Sequence, residues 1–154
     1  MKDLVVVSPH NDDFLIGCFT LLDRIKRVIL VEPETKRRLH EFLNACRILD
    51  LEREVVPVGE LMEHLCNIQN LTILSTSPYD NHYLHRFCAA TATALKDKSI
   101  GFYSVDMNVP WCKPLTQQQQ VEKRKLLDKL FPLEKKLWDK NSKYIIFEGH
   151  WTVI

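Results

Sequence analysis

Six short runs rich in β-branched and other apolar residues punctuate the chain, at Leu4–Val7, Val28–Val31, Val55–Val58, Leu71–Leu74, Ile100–Val105 and Tyr144–Phe147. Each is apolar almost throughout and ends at turn residues, the pattern of strands buried on both faces. Between them the apolar residues take up helical spacing. From about Thr35 to Asp50, Leu39, Phe42, Leu43, Cys46 and Leu49 share one face; from about Asn81 to Lys96, Cys88, Ala89, Ala92 and Leu95 do the same. A third helix is predicted over Val121–Phe131, with Leu126, Leu127, Leu130 and Phe131 as its stripe, ending where Pro132 cannot continue the hydrogen-bond ladder. Strand and helix in alternation predict an α/β domain with a mostly parallel sheet and helices on both faces. A chain of 154 residues suffices for one such domain and not for two, so residues 1–154 are read as a single unit.

Composition narrows the function classes. Lysine and arginine number 21 against 20 acidic residues, a formal charge of +1 that gives no support for polyanion or nucleic-acid binding as the main activity. The five cysteines are widely spaced with no C-x-x-C pair, which argues against a disulfide framework and for a reducing, cytoplasmic setting. The first apolar run has four residues, too few for a signal-peptide core, and no segment reaches membrane-spanning length.

Open α/β sheets bind ligands beyond the carboxyl ends of their strands, so chemistry is expected just after strands. Ser8-Pro9-His10-Asn11-Asp12-Asp13 follows the first run directly. Two adjacent carboxylates repel one another unless a positive charge offsets them, and His with carboxylate is a suitable ligand set for a divalent cation. The plain structural alternative is a helix start, with the aspartates serving as cap and dipole partner; the histidine is superfluous to that. A second cluster, Ser77 to Arg86, follows the fourth run and sets His82 and His85 three residues apart on one helix face. Its structural alternative makes Asn81 the cap and the histidines incidental. Together the clusters supply three metal ligands, a spare carboxylate and a spare imidazole, the minimum for a hydrolytic site with one coordination position left for water. His40 and His64 read as structural or exposed, His150 sits at the carboxyl edge without a partner cluster, and the Asn108–Pro114 stretch around Trp111 reads as a loop that could cover the site. Trp111 and Trp151 suit either sugar stacking or packing.

These blocks resemble a known family. Val5 to Asp13 followed by Gly17 resembles the His-Pro-Asp-Asp signature of the LmbE/PIG-L-like N-acetylglucosaminyl deacetylases; Arg38-x-x-Glu41-x-x-x-Ala45-x-x-x-Leu49 is similar to the family's Arg-x-x-Glu helix; and His82-x-x-His85-Arg86 is similar to its His-Pro-Asp-His-Arg block. The closing Tyr144–Gly149 segment is loosely similar to the family's last strand, which commonly carries a glutamate such as Glu148. The resemblance implies a Rossmann-like three-layer fold and zinc-dependent (or other divalent-metal-dependent) removal of an acetyl group from an N-acetylated amino sugar or glycoconjugate. It implies His10, Asp13 and His85 as metal ligands, Asp12 as general base, His82 as the imidazole that stabilises the tetrahedral intermediate or assists the leaving amine, and Arg38 in substrate binding. For Arg38 the other reading is a surface pair with Glu41 or Glu34. The chain departs from the family pattern at Asn11, at Phe14 where the family has Glu, and at Leu84 where it has Asp; Asp80 is a possible substitute for the last. Those departures leave two alternatives open: a family-derived binding or regulatory protein with little turnover, and a metal hydrolase acting on another amide or an ester.

Overall fold

A computed structural model describes residues 1–153. In chain order it holds β1 (Leu4–Ser8), α1 (Asp13–Cys18), β2 (Ile25–Val31), α2 (Lys36–Ile48), β3 (Glu52–Val56), α3 (Leu61–Cys66), β4 (Thr72–Thr76), α4 (Tyr83–Thr93), β5 (Ile100–Tyr103), β6 (Lys113–Pro114), α5 (Gln117–Leu130), α6 (Lys135–Lys140), α7 (Lys143–Ile146), β7 (Phe147–Glu148) and β8 (His150–Val153). Six strands form one sheet in the order β3-β2-β1-β4-β5-β8; the first five run parallel and β8 lies antiparallel to β5. The protein is thus an α/β three-layer domain of Rossmann-like form. Among the described residues no helix is long and apolar enough to cross a membrane.

The two-residue period of a strand sends alternate side chains to opposite faces. Leu4 and Val6 of β1 join one core with Phe14, Phe42, Leu127, Leu130, Phe131 and Trp138, so α1, α2, α5 and α6 cover that side. Val5 and Val7 join the other, with Leu61, Leu65, Cys88, Ala89 and Ala92 of α3 and α4. Every residue of β1 is buried, whereas the edge strand β3 is exposed at most positions. Thr35 caps α2 by accepting the Arg38 N–H at 3.2 Å, and Thr116 and Gln119 form a reciprocal capping box on α5. Gly17 permits α1 to lie against β5: a Cβ there would stand 2.2 Å from a ring carbon of Tyr103, whose hydroxyl donates to Val7 O at 2.7 Å.

One expected strand is absent. Tyr144–Ile146 belongs to the short helix α7, with Tyr144 and Ile145 buried against the core, and only Phe147 continues into a strand. A short apolar run fits a buried helical turn as well as a strand, because periodicity cannot separate them at that length. The last strand of the main sheet is β8 instead. The third expected strand also starts earlier than its apolar residues, at Glu52, because an edge strand tolerates charged side chains.

The strand order reverses between β1 and β4. The segments that follow these two neighbouring strands diverge at their carboxyl ends, which opens a crevice there. Beside it, Glu32 at the end of β2 has a φ of 51°, an uncommon conformation for a residue with a Cβ. The turn carries its carboxylate to the backbone N–H of Val58, 3.1 Å away, tying the β2–α2 loop to the turn ahead of α3.

Candidate functional site

Both expected clusters open onto that crevice, a cavity of about 320 Å³ lined among others by His10, Asp12, Asp13, Arg38, His82 and His85. His10 and Asp13 arrive on the turn after β1, and His82 and His85 on the start of α4 after β4. Ser8 locks the first turn. Its Oγ donates to His10 O and accepts the Phe14 N–H at 3.1 Å, which makes Ser8 the side chain that satisfies the helix start.

The aspartates do something other than cap. Asp12 occupies the N-cap position of α1, but its side chain makes no capping bond. Its Oδ2 is buried and has no hydrogen-bond partner among the described residues. Burial, the neighbouring Asp13 charge and Glu134 push the Asp12 carboxyl up to about 8. Asp13 instead turns back, and its Oδ2 accepts the His10 N–H at 2.8 Å. Burial would raise Asp13 too, but His85 and His10 outweigh it and hold this carboxyl far below the usual carboxylate range.

Three donor atoms converge. Asp13 Oδ2 lies 3.0 Å from His10 Nδ1 and 3.0 Å from His85 Nε2, and the two nitrogens are 3.1 Å apart. The far nitrogens of both rings have other partners. His85 Nδ1 faces Asp80 Oδ2 at 2.9 Å, and His10 Nε2 faces Glu34 Oε1 at 3.6 Å. When His10 carries its proton on Nε2 and His85 on Nδ1, toward Asp80, Nδ1 of His10 and Nε2 of His85 present lone pairs toward Asp13. Two lone pairs and a carboxylate this close repel unless a proton or a cation lies between them. Without a cation the proton solution prevails: burial lowers both histidines, yet Asp13 and, for His85, Asp80 overcome it, raising His10 above its ordinary value and His85 to about 10.

His82 sits differently. It is exposed at the cavity mouth and is itself the N-cap of α4, its Nδ1 accepting the Leu84 N–H at 3.2 Å. Asn81 is therefore not the cap. The His82 ring meets that of His10 edge-on at 4.6 Å and stacks on Tyr83 at 4.9 Å. Burial, then the neighbouring His10 and His85, lower its pKa. By position alone the three imidazoles of His10, His82 and His85 can also hold a metal, since one ring nitrogen from each lies within 4.8 Å of the others. Hydrogen bonding argues against that set: a neutral His82 whose Nδ1 accepts an N–H carries its own proton on Nε2 and has no lone pair there to offer.

Glu134 had no sequence motif to mark it, whereas Asp80 was expected as a possible substitute for the family's Asp at the Leu84 position. Asp80 is buried and accepts from Ser104 Oγ at 3.0 Å, Val105 N at 3.2 Å and Asp106 N at 3.3 Å while holding His85. It partners His85 rather than His82. Glu134 pairs with Arg38 Nε at 2.7 Å across 96 residues, and Glu34 also pairs with Arg38. Glu41 has a different role, accepting the Leu133 N–H at 3.2 Å and so fixing the segment that carries Glu134. Phe14 packs edge-on between Phe42 and Phe131, at 6.2 and 6.1 Å, and belongs to the core. Cys18 is fully buried, as a small apolar residue would be. His40 is exposed, and His64 faces Glu54 at 3.1 Å.

The Asn108–Pro114 loop does not line this cavity among the described residues. Trp111, Lys113 and Pro114 border a second one of about 230 Å³ with Thr20, Glu148 and His150, where buried Glu148 accepts the Thr20 N–H at 3.1 Å. Trp111 packs edge-on against Trp151 at 4.7 Å, so both indoles are accounted for by packing at that end of the sheet. No protein-family model matches the chain, and no curated protein matches it.

Proposed function

We propose that this protein is a divalent-metal-dependent amide hydrolase, and that it removes an acetyl group from an N-acetylated amino sugar or a conjugate of one. The observation that carries the reading is the convergence of His10 Nδ1, His85 Nε2 and Asp13 Oδ2 within 3.1 Å of one another, beside a buried Asp12 oxygen with no partner. Two neutral imidazoles and a carboxylate fit zinc, and the carboxylate behind His85 is the usual outer partner of a ligating histidine. A zinc ion held there would polarise an acyl carbonyl and lower the pKa of water.

The chain's own groups supply the rest. With a dication beside it to offset the burial and the like charges that raise it, Asp12 is ionised, and its carboxylate would accept the proton of the attacking water on Oδ2. His82 donates from Nε2 to the developing oxyanion or to the departing nitrogen, since Leu84 N–H occupies Nδ1. Arg38 is held between Glu34 and Glu134 in the cavity wall, in position to meet substrate hydroxyls. The choice of an N-acetylated sugar over another amide or an ester rests on the likeness of the ordered blocks to the LmbE/PIG-L-like deacetylases.

Metal analysis of the zinc-supplemented protein, joined to an acetate-release assay over N-acetylated sugars, tests this. We expect bound zinc, acetate release, and a fall of about 10²–10⁴-fold in kcat for Asp12→Asn with zinc retained. Failure to bind any divalent metal overturns the proposal, and full activity in Asp12→Asn removes Asp12 as the base. A protein that binds zinc and releases no acetate is a binding or regulatory relative.

A further inference from the structure

Asn11 lies between a proposed ligand, His10, and the proposed base, Asp12, and has no step of its own. Its side chain is almost wholly enclosed, the residue being 3% exposed, and its amide Nδ2 has no hydrogen-bond partner among the described residues. A buried donor left unpaired costs free energy that the fold does not recover, so an amide kept here needs a partner from outside the chain. The resemblance supplies no such partner, because the His-Pro-Asp-Asp signature has at this place a proline, whose side chain carries no donor.

Place decides what the amide meets. Asn11 lines the main cavity, and it also lines a narrow recess with His10, Glu34 and Arg38, to which Asp13 and His85 do not contribute. It therefore belongs to the Arg38 side of His10, away from the centre where the reacting carbonyl would sit. Glu134 brings an acceptor to the same cavity: its Oε1 lies in ion-pair reach of Arg38 Nε, at 2.7 Å, yet is buried and accepts no aligned hydrogen bond. A donor and an acceptor, both without hydrogen bonds, thus accompany one arginine. A carbonyl or ether oxygen satisfies only the first, and an ammonium only the second. A hydroxyl both donates and accepts, so neighbouring hydroxyls satisfy the pair, and a hydroxyl still bonds Asn11 if the amide is turned over. We infer that Asn11 is a specificity-determining residue whose side-chain amide hydrogen-bonds a ring hydroxyl of the substrate beside Arg38. That the bound molecule is turned over rests on the hydrolase reading; the demand for a hydroxylated ligand does not.

Isothermal titration calorimetry of the zinc-supplemented Asp12→Asn protein, with and without Asn11→Leu, would compare methyl N-acetylglucosaminide with the forms that each lack one of its hydroxyls. We expect one deoxy form to bind about tenfold weaker than the parent sugar where Asn11 is present. In Asn11→Leu the parent sugar should bind about tenfold weaker, and that same deoxy form should lose nothing more, because its partner is already gone. Zinc content should be unchanged and the urea midpoint no lower, since leucine removes an unpaired amide and breaks no bond of the fold. Asn11→Ala repeats the binding comparison without added bulk. A purely structural asparagine gives the opposite pattern: a lower midpoint in Asn11→Leu, with every deoxy penalty kept. That pattern, the absence of any deoxy penalty, loss of zinc in both Asn11 variants, or no binding of the parent sugar each overturn the inference. Acetate release by the native protein is scored separately: release without the coupling sinks the role of Asn11 alone, and the coupling without release sinks the hydrolase alone.

Discussion

Asp80 Oδ2 stands 2.9 Å from Nδ1 of His85, five residues along the chain, and the same carboxylate gathers three donors from residues 104–106. One side chain thus fixes the tautomer of a central imidazole and the loop after β5. In Asp80→Asn we expect zinc affinity to fall by about 10–100-fold, measured by competition with a chromophoric chelator. Unchanged affinity would mean that His85 needs no such partner.

His82 and His85 occupy one helical turn but should answer differently to substitution. Replacing His82 by Gln should lower kcat by about 10²-fold and leave zinc affinity within about threefold of the native protein. His85→Gln should lose the metal. If His82→Gln also strips zinc, the three-imidazole set is the true ligand set and the hydrogen-bond argument from Leu84 fails.

Gly17 is a packing requirement. Gly17→Ala forces the Tyr103 ring off its place beneath α1, with its bond to Val7 O. A loss of about 1–3 kcal/mol is expected from such overpacking, read from urea denaturation midpoints. An unaltered midpoint would show that α1 can slide, and with it Asp13.

Lys123 gives the fold a pH dependence away from the site. Its ammonium is buried, donating to Ile16 O at 2.6 Å and Phe147 O at 3.2 Å. Burial pulls its pKa from 10.5 to about 8, against the opposing pull of Glu148, Cys18 and Cys112. Above about pH 8 the folded protein releases a proton that the unfolded chain keeps, so stability rises with pH, by up to about 1 kcal/mol over one unit. Near 9.0, the ordinary thiol value, the unfolded cysteines begin to ionise. Burial raises Cys18, Cys46, Cys88 and Cys112 in the fold, so they pull stability back down. His85, Asp12 and the cysteines titrate alike in the native protein and in Lys123→Met, so the difference between the two isolates Lys123. From about pH 7 to 9 the native protein should gain about 1 kcal/mol relative to the variant, read from urea midpoints; a constant difference removes Lys123 as the cause.

The sheet and the placement of both histidine clusters were legible because they depend on local signals: buried β-branched runs, helical stripes, and polar residues set just after strands. The C-terminal strand assignment failed where Tyr144-Ile145-Ile146 is equally apolar in either geometry. Glu134 and the bond from Asp80 to His85 were out of reach for a different reason. Arg38 meets Glu134 across 96 residues, and nothing in the local pattern near Glu134 sets it apart from the other acidic residues of that stretch. Ser8 was equally silent, since a serine before a helix is ordinary until its hydroxyl is seen bridging His10 and Phe14.

The crevice at the reversal of strand order also has a kinetic meaning. His10 and His85, 75 positions apart in the chain, reach 3.1 Å only after the chain between them has folded back and β4 has aligned beside β1. Parallel pairing over such a span comes late in folding, because the entropy of closing the loop must be met before the contact can form. The centre is therefore a certificate of completed folding: a chain halted before β4 docks has two of the three proposed ligands, His10 and Asp13, and none of the geometry. A cation that recognises the finished centre draws population toward it from every partly folded state.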